Sequence, residues 1–328
     1  MVSREFLAPQ DRQRALPGED RPRGERRPRY SWGDPKAGID PGRAVGESRP
    51  KGRTQLASSL RVVAYNFLSG GSATRAGHWS RLRTHLAADI VLAQECRLPQ
   101  DSPGERFRPG PVDTLLWAPV ATRRWGSAVL LRGFQARPLE IPEFAGWVVG
   151  AELTSPRWSP ARPLRLFSIH CPVGERGYVR TLHEILDRVA RLRSGADLIL
   201  GGDFNVVVGH RQLNEPITVT RGEREILDRL SAEFGVISCW QAAHPGRPLA
   251  QTLRWSANRS APYHCDGIFV PSAWGSRLVS CRVVTGSRWT GLSDHNPVLA
   301  EFTALDGAPG RGSRAVLART PRRGARRR

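Results

Sequence analysis

The sequence predicts an α/β protein in which two β-sheets pack face to face with helices outside. Three observations lead there. Short β-rich runs alternate with helical patterns between residues 60 and 302, and several of those runs are apolar on both faces, as strands buried between layers are. Side chains of metal-ligand and acid–base type interrupt the apolar pattern at the strand ends.

Taken in order, strands are expected at LRVVAYNF (60–67), DIVLAQ (89–94), DTLLWA (113–118), SAVLLR (127–132) and WVVGAEL (147–153). Five more follow at LRLFSIH (164–170), DLILGGDF (197–204), HCDGIFV (264–270), LVSCRVV (278–284) and PVLAEF (297–302). Two helices are expected between them. In GYVRTLHEILDRVARLRSG the residues Val179, Leu182, Leu186, Val189 and Leu192 recur at helical spacing, and Gly195 closes the segment. In TRGEREILDRLSAEFG the set is Ile226, Leu227, Leu230 and Phe234, with Gly235 as the stop.

The flanks differ in kind. Residues 1–59 are rich in Pro, Gly and Arg with few apolar residues, so they bury too little surface to offset their ordering entropy and are expected to be a disordered basic segment. Residues 304–328 read as a disordered Arg-rich tail, which leaves one domain at 60–303. The 328-residue chain carries 50 Lys+Arg against 30 Asp+Glu, a net +20, and taking away both flanks still leaves +8. That field attracts polyanions such as nucleic acid or an anionic surface, although a GC-rich coding sequence also produces arginine bias. Both lysines, Lys36 and Lys51, precede the domain, which excludes Schiff-base chemistry and a P-loop lysine within it. Five cysteines without a C-x-x-C spacing argue against a zinc knuckle and a disulfide framework. With no apolar run near the ~20 residues that span a bilayer and no signal-peptide core, a soluble cytoplasmic monomer is expected.

The chemistry gathers at six strand ends. Asn66 follows RVVAY, Glu95 follows DIVLAQ, His170 follows LRLFSI, Asp203 and Asn205 follow LILGG, Asp266 interrupts YHCDGIFV, and Asp294-His295 precede NPVLAEF. Carboxylates and an amide without cysteine suit a hard cation, Mg²⁺ or Mn²⁺, with Glu95 as the leading ligand. Asp203 is placed to position or deprotonate a water, Asn205 to hold that water or a phosphoryl oxygen, and Asp266 to orient His295. Asp and Asn after a strand also cap turns, but Asp266 inside an apolar run needs a partner, since a buried carboxylate is costly without one. Arg123, Arg124 and Asn214 are candidate phosphate contacts. Trp255 is the better base-stacking candidate of Trp240 and Trp255, both of which also suit a core.

RVVAYN, IVLAQE, FSIHCP, GGDFN, YHCDGIFV and GLSDHNPV resemble, in order, the signature blocks of the endonuclease/exonuclease/phosphatase family, over about residues 60–302. The resemblance implies a four-layer α/β/β/α sandwich of two mixed sheets. It further implies a divalent metal in the Asn66 and Glu95 region with help from Asp294, an Asp266–His295 pair, and Asp203 and Asn205 at the attacking water. His170 is similar to the deoxyribonuclease I and sphingomyelinase branches, yet LLWAPVATRRWG lacks the glutamate that the former sets beside its histidine. The expected activity is metal-dependent phosphodiester hydrolysis, on nucleic acid first. A phospholipid or a small phosphate ester is the alternative substrate, and an idle nucleic-acid-binding scaffold a third reading.

Overall fold

Period-two alternation decides which face of each strand meets the opposite sheet. The computed structural model describes residues 59–303 except 72–76, 103, 155–161, 212–214, 216, 256–258 and 260; Asn214 and the flanks 1–58 and 304–328 lie outside the described residues. In chain order the first strands and helix are β1 (Leu60–Asn66), α1 (His78–Thr84), β2 (Ile90–Cys96), β3 (Asp113–Pro119), β4 (Gly126–Arg132), β5 (Ala136–Leu139) and β6 (Val148–Leu153). There follow β7 (Leu164–His170), α2 (Gly177–Leu192), β8 (Asp197–Asp203), α3 (Arg221–Ala232), β9 (Val236–Ser238) and α4 (Cys239–Ala243). The chain closes with β10 (Asp266–Pro271), β11 (Leu278–Val283), α5 (Ser287–Thr290) and β12 (Val298–Phe302).

These strands make two six-stranded sheets, ordered β11-β12-β1-β2-β4-β3 and β5-β6-β7-β8-β10-β9. Both are mixed: β1 and β2 run parallel in the first, β7 and β8 in the second, and the other pairings are antiparallel. Alternate residues Leu60, Val62 and Ala64 of β1, Leu164 and Leu166 of β7, and Ile268 and Val270 of β10 meet in one buried cluster between the sheets. The other face of β7 and β8 gives Phe167, Ile169, Leu198 and Leu200 to a second cluster with Leu182, Leu186 and Val189 of α2 and Ile226 and Leu230 of α3. The outer face of the first sheet packs Val63, Val91 and Leu130 against Trp79 and Leu82 of α1 and Trp289 of α5. Each fully buried Leu or Phe is worth about 1.5–3 kcal/mol of transfer free energy. The result is the expected four-layer α/β/β/α sandwich.

Three helices and two strands go beyond the expected elements. α1 is only seven residues long, and Gly77 at its N-cap offers no side chain; instead the Glu105 carboxylate, far along the chain, accepts from the Trp79 and Ser80 backbone N–H groups at 3.0 and 3.2 Å. A long-range cap of that kind leaves no local signature. α3, by contrast, is announced by Thr220 and Glu223, which form a reciprocal capping box. The strand expected at 264–270 begins instead at Asp266, because the His264 and Cys265 carbonyls accept from Val208 and Phe204 of a loop (3.0 and 2.9 Å). Gly202 sits at φ +143°, and a Cβ there would lie 2.0 Å from the Ile169 carbonyl oxygen. Only glycine lets β7 approach β8 this closely one residue before Asp203.

Candidate active site

The inward-facing stripe of each central strand starts apolar and ends on a polar side chain. Along β7 the stripe runs Leu164, Leu166, Ser168, His170; along β1 it runs Leu60, Val62, Ala64, Asn66. Register then aligns the polar ends. His170 is the direct partner of Asp203 in the parallel β7–β8 pair, and Asp266 is the direct partner of Asp203 in the antiparallel β8–β10 pair. Partners opposite one another project from the same face, so three strands deliver an imidazole and two carboxylates to one rim.

Glu95 reaches that rim by breaking alternation. In β2 the pairing with β4 shifts between Ala93 and Cys96, and Glu95 takes φ +47°, a left-handed backbone unusual outside glycine. The bulge lets Gln94 keep its inward place, donating to Ser168 Oγ at 2.9 Å, while Glu95 also turns into the site. Its carboxylate accepts from the Ser69 backbone N–H and from Asn66 Nδ2 at 3.1 Å.

Asn66 ties the two sheets together: Nδ2 also donates to Asp203 Oδ2 at 3.0 Å, and its Oδ1 accepts from the Leu68 N–H at 2.9 Å. Expected as a metal ligand, Asn66 therefore turns its donor edge toward the carboxylates and keeps its oxygen on the backbone. Asp203 is fully buried and accepts from the Asn205 N–H at 3.0 Å; Asn205, at φ +53°, donates through Nδ2 to the Cys171 carbonyl. His295 Nδ1 donates to Asp266 at 2.9 Å, which leaves Nε2 facing Asp203 Oδ2 at 3.7 Å and Asp294 Oδ1 at 3.9 Å. Thr252 Oγ1 accepts from the N–H groups of Cys265 and Asp266, and Ser293 Oγ bonds the Asn66 carbonyl and the His295 N–H. Asp294 is the more open acid, its side chain 39% exposed.

Electrostatics follow from this crowding. Burial raises the Asp203 pKa and Asp266 adds to it, against the opposing pull of His295 and His170. Burial alone would lower His295, but Asp266 and Asp203 outweigh it and carry the imidazole up to about 10, so it is a cation at neutral pH. Burial works against ionisation of Glu95 too, yet His170 and the Ser69 and Asn66 bonds bring its pKa below the ordinary value. Because the folded His295 pKa exceeds the unfolded ~6.5, its contribution to stability is complete below ~6.5 and fades until lost near 10. Asp266→Asn is expected to lower the His295 pKa and draw the alkaline limb of any activity profile below pH 10; a ¹⁵N–¹H titration of the imidazole checks the shift.

The donor set suits a hard cation. Glu95 and Asp294 offer carboxylate oxygens beside two further carboxylates, and His170 has both ring nitrogens buried with no hydrogen-bond partner among the described residues. Its Nε2 lies 3.5 Å from Glu95 Oε1 and 3.9 Å from Asp203 Oδ2. Ligand atoms of Asp203, Cys265, Asp266 and His295 also lie within 4.8 Å of one another. Burial, then Asp266 and Asp203, push the Cys265 thiol well above its usual range, and His295 is committed to Asp266. That group does not suit a soft-metal centre.

Of the expected substrate contacts, Arg123 and Arg124 are exposed on the turn joining β3 to β4. Trp255 is half-buried, edge-on to Tyr263 at 5.4 Å, just past Leu253, which bridges His295. Sequence reasoning missed Trp125 and Trp147, whose rings lie 5.6 and 5.1 Å from that of His170, and the supporting hydroxyls of Thr252 and Ser293. The other described histidines pack elsewhere; His78 stacks on Phe67, and burial pushes both His78 and His264 down to about 4.

No protein-family model matches the chain. A 149 kDa transposon TX1 protein of Xenopus laevis is 24% identical over 148 residues, 45% of this chain and 11% of that protein, so the chain spans about a tenth of its length. Among solved structures, the catalytic domain of Xenopus laevis APE2 superposes with a TM-score of 0.56 at 18% identity, covering 74% of this chain and 92% of that one. The endonuclease domain of TRAS1, a telomere-specific non-LTR retrotransposon, gives 0.53 at 16% (75% and 98% covered). The 3′ phosphatase NExo from Neisseria, solved with a product DNA hairpin, gives 0.51 at 17% (74% and 99%).

Proposed function

We propose that this chain, which has the deoxyribonuclease I-like fold of endonuclease/exonuclease/phosphatase structures, is a metal-dependent phosphodiesterase acting on a nucleic-acid backbone. The observation that carries the reading is the rank His170–Asp203–Asp266 set by strand register, closed by His295 and Glu95. A binding scaffold has no use for a buried Asp–His pair. Of the relatives named above, NExo is described with a product DNA hairpin and the TRAS1 and TX1 proteins belong to mobile elements, and the net +8 of the domain favours the same partner.

Glu95 and Asp294 would hold Mg²⁺ or Mn²⁺, with Asn66 clamping Glu95 against Asp203. Bound there, the ion would neutralise developing charge on the phosphoryl group. Asp203, its pKa raised, is the group that orients the attacking water and accepts its proton, and Asn205 holds that carboxylate in place. His295, cationic and fixed by Asp266, meets a phosphoryl oxygen through Nε2. His170 stands beside the same carboxylates on the other side of the rank; with Nδ1 unpartnered, nothing among the described residues fixes its tautomer, in keeping with the absent glutamate. Arg123 and Arg124 meet flanking phosphates, and Trp255 meets the substrate on the His295 side.

The test offers the purified chain plasmid DNA, abasic duplex, RNA, sphingomyelin and a soluble phosphomonoester, with Mg²⁺ or with EDTA. Nicking of nucleic acid that stops in EDTA is expected. Turnover of lipid or phosphomonoester alone, or binding without turnover, overturns the reading.

A further inference from the structure

We propose that Trp125 is a stacking platform for an unpaired nucleobase next to the scissile phosphate, so that the substrate is a strand with an unstacked base at the cleavage point. This rests on the nucleic-acid reading above and deepens it.

The argument starts from how firmly the ring is held. Trp125 closes the β3–β4 turn: its carbonyl accepts from the Val120 N–H at 3.0 Å, and Arg123 N–H returns to the Val120 carbonyl at 2.8 Å. The next residue, Gly126, lies so close to β3 that a Cβ would sit 1.8 Å from the Ala118 oxygen. The indole is set edge-on against Trp147 at 5.5 Å and 85°. Trp147 is anchored in turn, its carbonyl accepting from the His170 N–H (2.9 Å) and from Ser127 Oγ (3.0 Å), one from each sheet. A ring fixed before binding loses little entropy on contact.

What surrounds the open part of the ring decides its partner. Trp125 remains half-buried, with Arg123 over its ring at 6.0 Å and Arg124 exposed beside it, neither paired with an acid among the described residues. A tryptophan that served packing alone would be covered by apolar side chains rather than lie partly exposed beneath the Arg123 guanidinium. Aromatic and arginine planes flanked by positive charge are the chemistry that takes a base on its π-face and its phosphates at the edge. His170 lies 5.6 Å from the ring, so a nucleotide stacked there reaches the reaction centre through its own sugar. A base paired within a duplex has both faces occupied and is excluded until it is unstacked.

The experiment uses a single strand carrying 2-aminopurine, whose fluorescence responds to stacking, titrated with the full chain in EDTA so that turnover plays no part. Trp125→Ala is expected to abolish the fluorescence change and weaken binding on the order of tenfold, with Trp125→Phe restoring most of both. With Mg²⁺, the kcat/KM loss in Trp125→Ala should fall mainly on KM and disappear when the base at that position is replaced by an abasic analogue. An unchanged 2-aminopurine signal in Trp125→Ala overturns the proposal, as do equal losses on base-bearing and abasic strands. Trp125-dependent attachment to phosphatidylserine vesicles without any 2-aminopurine response overturns it too. A stacking signal lost in Trp125→Ala but no hydrolysis by the unmodified chain would uphold the platform and refute the hydrolytic reading.

Discussion

Asp203→Asn is expected to cut Mg²⁺-dependent hydrolysis by ~10³-fold while leaving binding of the uncleaved strand in place. The substitution preserves shape and removes proton affinity at the point where β7, β8 and β10 line up. It also removes a buried charge whose pKa burial and Asp266 raise, which offsets the loss of one hydrogen bond: the Asn66 and Asn205 donors meet different oxygens of Asp203, and an amide keeps an acceptor for only one of them. A melting temperature within ~4 °C of the parent would show that chemistry, not folding, has been removed. Retention of more than about a tenth of the parent rate would refute the role given to Asp203.

The second large effect concerns Glu95. Glu95→Gln is expected to abolish the rise in melting temperature that saturating Mg²⁺ gives the parent, and to lower hydrolysis at fixed Mg²⁺ by ~10²-fold or more, partly recovered as the metal is raised. The amide can still accept from Ser69, so the bulge should persist, and calorimetry with and without Mg²⁺ separates the two effects. A metal-induced stabilisation identical to the parent's would remove Glu95 from the ligand set.

Much of the fold was legible because burial imposes period two. The alternation in LRVVAYN, LRLFSIH and DLILGGD says which side chains face the opposite sheet, and the same count carries Asn66, His170 and Asp203 onto that face. What escaped was set by distant parts of the chain. α1 depends on Glu105 for its cap, and β9 and α4 are too short to show a period. Glu95 sits on the wrong parity for the site, and only a left-handed backbone at that residue turns it inward. Trp125 gave no signal, since a tryptophan after two arginines looks like surface until Trp147 and His170 are seen beside it.

The hydrogen bond from Asn66 to Asp203 crosses the seam between the sheets, while the one from Asn66 to Glu95 stays within the first. Neither half therefore owns a complete set of reactive groups, and a circular permutant or split-protein pair divided between the sheets should stay silent until reassembled. Changes in chain length are partitioned in the same way. One residue added within β7 or β8 ahead of the shared row would invert the side on which His170 or Asp203 emerges, while the turns at the far rim can lengthen freely.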